Sequence, residues 1–424
     1  MKRPHVVIIG GGFGGLSAAR ALRSANVDVT VLDRTNHHLF QPLLYQVATA
    51  GLSAADITAP IRHILRRQSN TKVALAEDLD IDPDAKTVTI DVPERQIQYD
   101  YLIVAPGSRH AYFGHTEWEE SAPGLKAIED AAEIRRRFLL SFERAEKSSD
   151  PVEQQALMTF VIVGGGPTGV ELSGAFPEIA RKALYPDFRN IDTRKTRVIL
   201  LEGGPRVLPS FPEELSQKAR ASLEEIGVEV RTNSIVTRVE PDAVFVGDER
   251  IPTRSVFWAA GNAASPLGAT LGVPLDRAGR VHVNPDLSIP GHPEVFVIGD
   301  LALVVRDDGR PVPGVSPAAI QEGKRAARNV RALIGKRPTV PFRYRNKGDL
   351  AVIGRSRAIA DFGFIQLSGR IAWLLWLFVH IMYLVGFRNR ISVFIQWAYS
   401  YLTFQRGVRL ITEVERRDDS IAAR

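Results

Sequence analysis

Two glycine-rich turns carry most of the chemistry this sequence can offer. Gly10-Gly11-Gly12-Phe13-Gly14-Gly15 follows the apolar run HVVII, and Gly10, Gly12 and Gly15 fit the pattern G-x-G-x-x-G. In that pattern the first glycine makes a tight turn, the second lets backbone approach a pyrophosphate, and the third lets helix and strand pack closely. The helix that follows offers N–H groups and the positive end of its dipole to phosphates. Asp33 ends the next strand, VDVTVL, eighteen residues after Gly15. A carboxylate there accepts hydrogen bonds from ribose hydroxyls.

The pattern recurs. TFVIVG leads into Gly164-Gly165-Gly166-Pro167-Thr168-Gly169, and the strand TRVILL ends in Glu202, thirty-three residues after Gly169. That interval exceeds the usual one of about twenty, and a longer helix with the loop YPDFRNIDTRK accounts for the excess. Glu202 repels a 2′-phosphate, so NADH is favoured over NADPH. One such turn is a weak signal. Two copies, each after a strand and each with an acid at the next strand end, predict two bound dinucleotides.

A third element points to flavin. EVFVIGD reads as a strand closing on Asp300, and Ser316–Ile334 reads as a helix with Pro317 in its first turn. An aspartate so placed accepts from a ribityl chain in two-nucleotide flavoproteins. The positive helix end favours charge that builds on a reduced flavin.

These residues need parallel strands to position them. The runs HVVIIG, DVTVLD, YLIVAPG, TFVIVGG, RVILLEG, SVFWAAG and EVFVIGD alternate with helical stretches, as in sheets covered by helices on both faces. The 424 residues suit two to three domains. There is no cysteine, which excludes disulfides, thiolate metal sites and cysteine redox chemistry. His37, His38, His63, His110 and His115 lack zinc-ligand spacing, so no metal site is expected; His37 and His38 read as loop neighbours. The first residues do not resemble a signal peptide, and the chain is expected to start in the cytoplasm with a buried strand.

The C-terminal end differs. Ile371–Phe387 holds seventeen residues, with His380 as the one side chain that ionises near neutral pH. As a helix it spans roughly 26 Å, marginal for a bilayer core of about 30 Å. In Ile391–Phe404, the residues Ile391, Phe394, Ile395, Ala398, Tyr401 and Leu402 share one helical face, with Ser392, Gln396, Ser400 and Thr403 on the other. From Arg388 onward, seven arginines face four acids, giving +3 of the total +6. Trp373, Trp376, Tyr383, Trp397, Tyr399 and Tyr401 suit an interfacial belt, and arginines favour an anionic lipid surface. The charge lies beside apolar residues rather than on a nucleic-acid motif, so no nucleic-acid partner is expected.

Together with Ala105-Pro106-Gly107-Ser108, the paired turns and the VIGD run resemble the two-dinucleotide-binding-domain flavoproteins. The run Phe40-Gln41-Pro42-Leu43-Leu44-Tyr45-Gln46-Val47-Ala48-Thr49-Ala50-Gly51, the pair Lys347-Gly348 with Ala351-Val352-Ile353-Gly354, and the tail AWLLWLFVHIMYLVGFRNR with TFQRGVRLI resemble type II NADH:quinone oxidoreductases. The resemblance implies an α/β fold of two Rossmann-like dinucleotide-binding domains, for FAD and NADH, plus a C-terminal helical membrane-anchoring region. It places the FAD domain at 1–115 and 286–345, the NADH domain at 116–285, and the membrane and quinone-access region at 346–424. It implies NADH oxidation through FAD with electron transfer to a membrane quinone, ubiquinone or menaquinone, without proton pumping. The expected form is a homodimer held monotopically on the cytoplasmic face of the cell membrane.

Residue roles follow from the resemblance. Gly10, Gly12, Phe13, Gly14 and Gly15 line the FAD pyrophosphate, Asp33 its ribose, and Leu79 its adenine. Asp300 holds the ribityl chain, and Ala318 and Ala319 bring helix N–H groups to the flavin. Gly164, Gly166 and Gly169 line the NADH pyrophosphate, Glu202 its ribose, and Gly261 lets nicotinamide approach. Glu171 is the acid near nicotinamide and flavin. The family's A-Q-x-x-x-Q quinone motif reads Ser316-Pro317-Ala318-Ala319-Ile320-Gln321, so Pro317 replaces the first glutamine and Gln321 supplies the second. His380 is a candidate proton donor to quinone. Sulfide:quinone and disulfide reductases share the fold, but they need the cysteines this chain lacks. A reductase of another acceptor, such as a soluble ferredoxin-type enzyme, and a flavin redox sensor are the alternatives.

Overall fold

The computed structural model describes residues 3–77, 79–90, 95–403 and 407–411. Phe404, Gln405 and Arg406 of the tail motif lie outside the described residues. In chain order the elements used below are β1 (His5–Ile9), α1 (Phe13–Ala21), β2 (Asp28–Asp33), β3 (Thr71–Leu75), β4 (Tyr101–Val104), β5 (Thr159–Val163), α2 (Pro167–Glu178), β6 (Arg197–Leu201), β7 (Val228–Arg231), β8 (Ser255–Trp258), β9 (His292–Val297), α3 (Ser316–Ile334), β10 (Asp349–Gly354), α4 (Gly369–Tyr383) and α5 (Phe387–Thr403).

The chain forms two compact units. The first comprises Met1–Leu39, Thr58–Arg109 and Asn262–Lys347. Its sheet runs Ser288–Ile289, β9, β4, β1, β2, β3, parallel throughout except for the short edge strand. Val6, Val7, Ile8 and Ile9 are buried along all of their length. A strand apolar on both faces must be covered on both, which is why the run shows no alternation. Leu79 lies in a separate antiparallel sheet of this unit, paired with Ile90.

The second unit comprises Phe40–Ile57, His110–Gly261 and Gly348–Arg424. Its sheet runs β7, β6, β5, β8, all parallel. Phe160, Val161 and Ile162 of β5 are fully buried, and Phe138, Phe142, Phe160, Phe176 and Phe257 pack ring to ring beside them.

These units divide the chain differently from the expected bounds. The C-terminal region does not stand apart. A Cβ placed on Gly174 of α2 would lie 1.5 Å from the Ile353 carbonyl oxygen of β10. The helix and the A-V-I-G strand therefore touch backbone to backbone and share one core. Residues 262–285 fall with the first unit, where Val281–His282 pairs with Ala302–Leu303. Phe40–Ile57 falls with the second, where α5 is bonded to it.

The expected apolar helix over 371–387 also divides. It ends at Tyr383, Leu384 is extended, and Gly386 turns with φ +93° before α5 begins at Phe387. Among the described residues no helix is long and apolar enough to cross a membrane.

Candidate functional site

The first glycine turn is shaped by contacts that no side chain would survive. Gly10 has φ +95°, and a Cβ on it would sit 2.1 Å from the Ala105 carbonyl oxygen. A Cβ on Gly15 would sit 1.8 Å from the Gly10 oxygen. Gly12 differs, because nothing lies within 4 Å of its Cβ position. The chain itself tolerates a side chain there, so the surface above the turn is open. α1 starts at Phe13 with no side-chain cap and no acid in its first turn, which leaves its positive end for an anion. The Asp33 carboxylate accepts the Gly11 N–H at 2.5 Å and the Thr35 N–H at 2.7 Å. A carboxylate has room for further donors, such as hydroxyl groups.

The second turn repeats this geometry. Gly164 has φ +108°, with Ala259 carbonyl atoms 2.7 Å from its Cβ position, and a Cβ on Gly169 would sit 1.8 Å from the Gly164 oxygen. Gly166 is open as Gly12 is. Glu202 accepts the Gly165 N–H at 2.5 Å and the Gly204 N–H at 2.6 Å. The acids at the two strand ends thus hold equivalent backbone amides. Gly261 has φ +75°, and its Cβ position is 2.6 Å from the Phe113 ring. Glu171 lies in the early turns of α2, and desolvation pushes its carboxyl well above the usual carboxylate range with no charged neighbour to offset it. A neutral carboxylic acid donates a hydrogen bond.

In the first unit a cleft opens beside the VIGD turn, lined by Ser108, Asp300, Ala318, Ala319 and Glu322 among others. Asp300 accepts from the Ser108 hydroxyl at 2.7 Å. α3 lies on α1 so closely that a Cβ on Gly323 would be 2.2 Å from the Gly14 oxygen. The cradle fits a dinucleotide with a flavin: an open glycine turn, a ribose acid, and an aspartate at the mouth of a cleft.

Four expectations are corrected here. The Ala318 and Ala319 N–H groups both bond to the Val315 oxygen, at 3.0 and 3.2 Å, so the end of α3 acts through its dipole rather than through two free amides. The Gln321 amide donates to the Pro317 and Arg345 oxygens and accepts from the Arg345 N–H, all within 3.1 Å. It is spent on clamping residue 345 rather than presented to a ligand, and Pro317 serves it as a carbonyl acceptor. His380 stacks on Trp376 at 4.1 Å, and its Nδ1 lies 2.7 Å from the Trp376 oxygen. Burial lowers its pKa to about 4. A neutral ring that donates from Nδ1 leaves Nε2 as an acceptor, so the ring is not set to donate a proton. Finally, Trp376 is buried and is an internal anchor rather than part of an interfacial belt, while the half-buried Trp397 indole donates to Gln46 at 2.7 Å.

Other contributors were not legible in the sequence. His38 lies in a short strand rather than a loop, its side chain buried while His37 points outward. It bonds to the Gly11 oxygen at 3.0 Å and meets the Phe13 ring edge-on at 5.0 Å, bracing the glycine turn. Asp56 is buried and accepts from Ser392 at 2.9 Å and Gln396 at 3.0 Å. α5 therefore turns its polar face inward. Ile391, Phe394, Ile395, Tyr401 and Leu402 are left exposed, as are Ile371, Leu374 and Phe378 of α4.

Residues 4–323 match the family model described as pyridine nucleotide-disulphide oxidoreductase, and residues 346–406 match the model described as NDH2 C-terminal domain. The chain is 46% identical to the type II NADH:quinone oxidoreductase Ndh of Mycobacterium tuberculosis, over 97% of this chain and 91% of that protein. It is 30% identical to the type II NADH:quinone oxidoreductase of Haemophilus influenzae, over 84% and 86%. The solved structure of NDH2 from Plasmodium falciparum in complex with NADH matches with a TM-score of 0.87 at 20% identity, covering 97% of this chain and 100% of that one.

Proposed function

Because the chain belongs to the type II NADH:quinone oxidoreductases, we propose that its two glycine turns divide one reaction between them, the first holding FAD and the second admitting NADH. The enzyme oxidises NADH and reduces a quinone. The carrying observation is the repeated turn, in which an open glycine and an acid bonded to the neighbouring glycine amide occur twice. Bound FAD supplies a carrier that takes two electrons as hydride and yields them to a quinone.

The chain's own residues bind and orient. Gly10, Gly12, Phe13, Gly14 and Gly15 give the FAD pyrophosphate a backbone surface, Asp33 holds its adenosine ribose, and Leu79 borders the adenine. Asp300, steadied by Ser108, accepts from the ribityl hydroxyls. Gly164, Gly166 and Gly169 do the same for NADH, Glu202 binds its ribose, and Gly261 keeps a side chain out of the nicotinamide's way. Glu171, its carboxyl pushed well above the usual range by desolvation, donates to the nicotinamide carboxamide when protonated.

The reading includes a lipid surface. A helix whose serine and glutamine face inward while its isoleucine and phenylalanine face outward seeks an apolar partner. We assign that face to the cytoplasmic leaflet of the cell membrane, where ubiquinone or menaquinone resides, and to a homodimer bound there monotopically. Steady-state NADH consumption with a short-chain quinone tests the reaction. Turnover that requires both quinone and FAD is expected, and NADH consumption indifferent to quinone would overturn the assignment. Retention on anionic vesicles tests the surface.

A further inference from the structure

Glu322 is 2% exposed on α3 and lines the cleft beside Asp300. Its Oε2 accepts the Gly299 N–H at 2.6 Å. Gly299 has φ +70°, the left-handed conformation in which only glycine is at ease. The residue that follows it is Asp300. One bond from α3 thus reaches the backbone hinge on which the ribityl-binding carboxylate turns, while Ser108 holds the carboxylate itself. The next residue of α3, Gly323, is the point of closest approach to α1. A carboxyl fixed at that contact cannot drift, so the turn inherits the register of the two packed helices.

Burial of a carboxyl has a desolvation cost, and this one is buried with the Gly299 N–H as its donor and the Asp300 carboxylate close enough to oppose its ionisation. Its pKa is pushed up to about 7 by that burial. Packing alone does not call for an acid here, because an apolar side chain would fill the space without that cost.

We propose that Glu322 is a positioning residue for the flavin site: through the Gly299 amide it sets the turn that aims Asp300 into the cleft. The inference rests on the reading that this cleft holds FAD. The side chain works by accepting a hydrogen bond, so Glu322→Gln, whose amide oxygen also accepts, preserves the function, and Glu322→Leu removes it.

The test uses the full chain purified with FAD. Flavin release on dilution is followed by the rise in flavin fluorescence, with circular dichroism as the check on folding. The Leu variant is expected to release FAD roughly tenfold faster than wild type, the factor one hydrogen bond commands, and the Gln variant to stay within about twofold. Equal release from the Leu variant overturns the proposal, as does equal loss in Leu and Gln. Amide exchange at Gly299 in the wild-type holoenzyme gives a second reading independent of any variant. Slow exchange is expected, and exchange at the rate of an open turn overturns the proposal. If wild type itself carries no FAD, the reading of the cleft fails, which is a different result from a variant that holds FAD normally.

Discussion

Glu202 holds Gly165 by its backbone: one carboxylate oxygen accepts the Gly165 N–H at 2.5 Å and the other accepts the Gly204 N–H at 2.6 Å. The charge is pinned at the strand end rather than free to swing away. A 2′-phosphate entering there meets a fixed like charge, which costs up to several kcal/mol. Glu202→Gln keeps an acceptor and removes the charge. It is expected to raise the ratio of kcat/KM for NADPH over NADH by roughly tenfold or more. An unchanged ratio would remove Glu202 from cofactor choice.

The glycines of the first turn separate folding from binding. Gly15→Ala places a Cβ 1.8 Å from the Gly10 oxygen, so it should distort the turn and lower the melting temperature as well as FAD content. Gly12→Ala meets no protein atom within 4 Å. It should melt near the wild-type temperature when both are stripped of FAD, yet lose flavin. If Gly12→Ala retains full flavin, the open space above Gly12 is not the pyrophosphate site.

Glu171 offers a choice between charge and proton. Desolvation pushes its carboxyl well above the usual range, which favours the protonated form and, on the proposed reading, a donor's role. Glu171→Gln still donates and is expected to keep kcat within a few fold, while Glu171→Ala should lose roughly ten- to a hundredfold. Should Gln be as damaged as Ala, proton movement rather than hydrogen bonding is the function.

Two buried groups impose opposite pH dependence on stability. Glu322 keeps its proton to about pH 7 when folded, against an ordinary value of 4.5. Between those values unfolding releases a proton, so stability falls as pH rises through that window and is flat above it. The full span is worth on the order of 3 kcal/mol. His380 is neutral down to about pH 4 when folded, against an ordinary 6.5. Unfolding then takes up a proton, so stability falls as pH drops from 6.5 towards 4. Urea titrations across pH are expected to show the first slope vanish in Glu322→Gln and the second in His380→Phe. Persistence of either slope in its variant assigns it to another group.

The outward face of α5 makes the membrane reading measurable. Phe394→Asp with Ile395→Asp removes two exposed apolar side chains, each worth about 2 kcal/mol when buried in lipid. Vesicle affinity is expected to drop by roughly a hundredfold or more, with the melting temperature unchanged because neither side chain is packed. Loss of folding instead would mean that this face is covered within the protein.

Both glycine turns could be read in the sequence because their spacing reports a local steric need: Gly10, Gly15, Gly164 and Gly169 sit where a Cβ would strike a carbonyl. Asp33 and Glu202 were legible for the same reason, since a strand end fixes where its next residue points. The facing of α5 was not. Helical period separates Ile391 and Phe394 from Ser392 and Gln396, but it does not say which side meets the protein. That is decided by buried Asp56, more than three hundred residues earlier in the chain. Gln321 misled for a related reason: a glutamine in a familiar place was engaged by the backbone of residue 345, a contact invisible to spacing. The break at Gly386 was hidden inside an unbroken apolar run.

On the proposed reading one chain oxidises NADH at one turn and delivers its electrons to a quinone through a flavin at the other. The most direct measurement is anaerobic and uses the FAD-loaded protein in mild detergent. Its visible flavin absorption is followed while NADH and then a short-chain quinone are added. Bleaching on NADH and rapid recovery on quinone are expected. Bleaching with no recovery would contradict the quinone reductase assignment, and no bleaching at all would contradict the reading of Gly164–Gly169 as an NADH site.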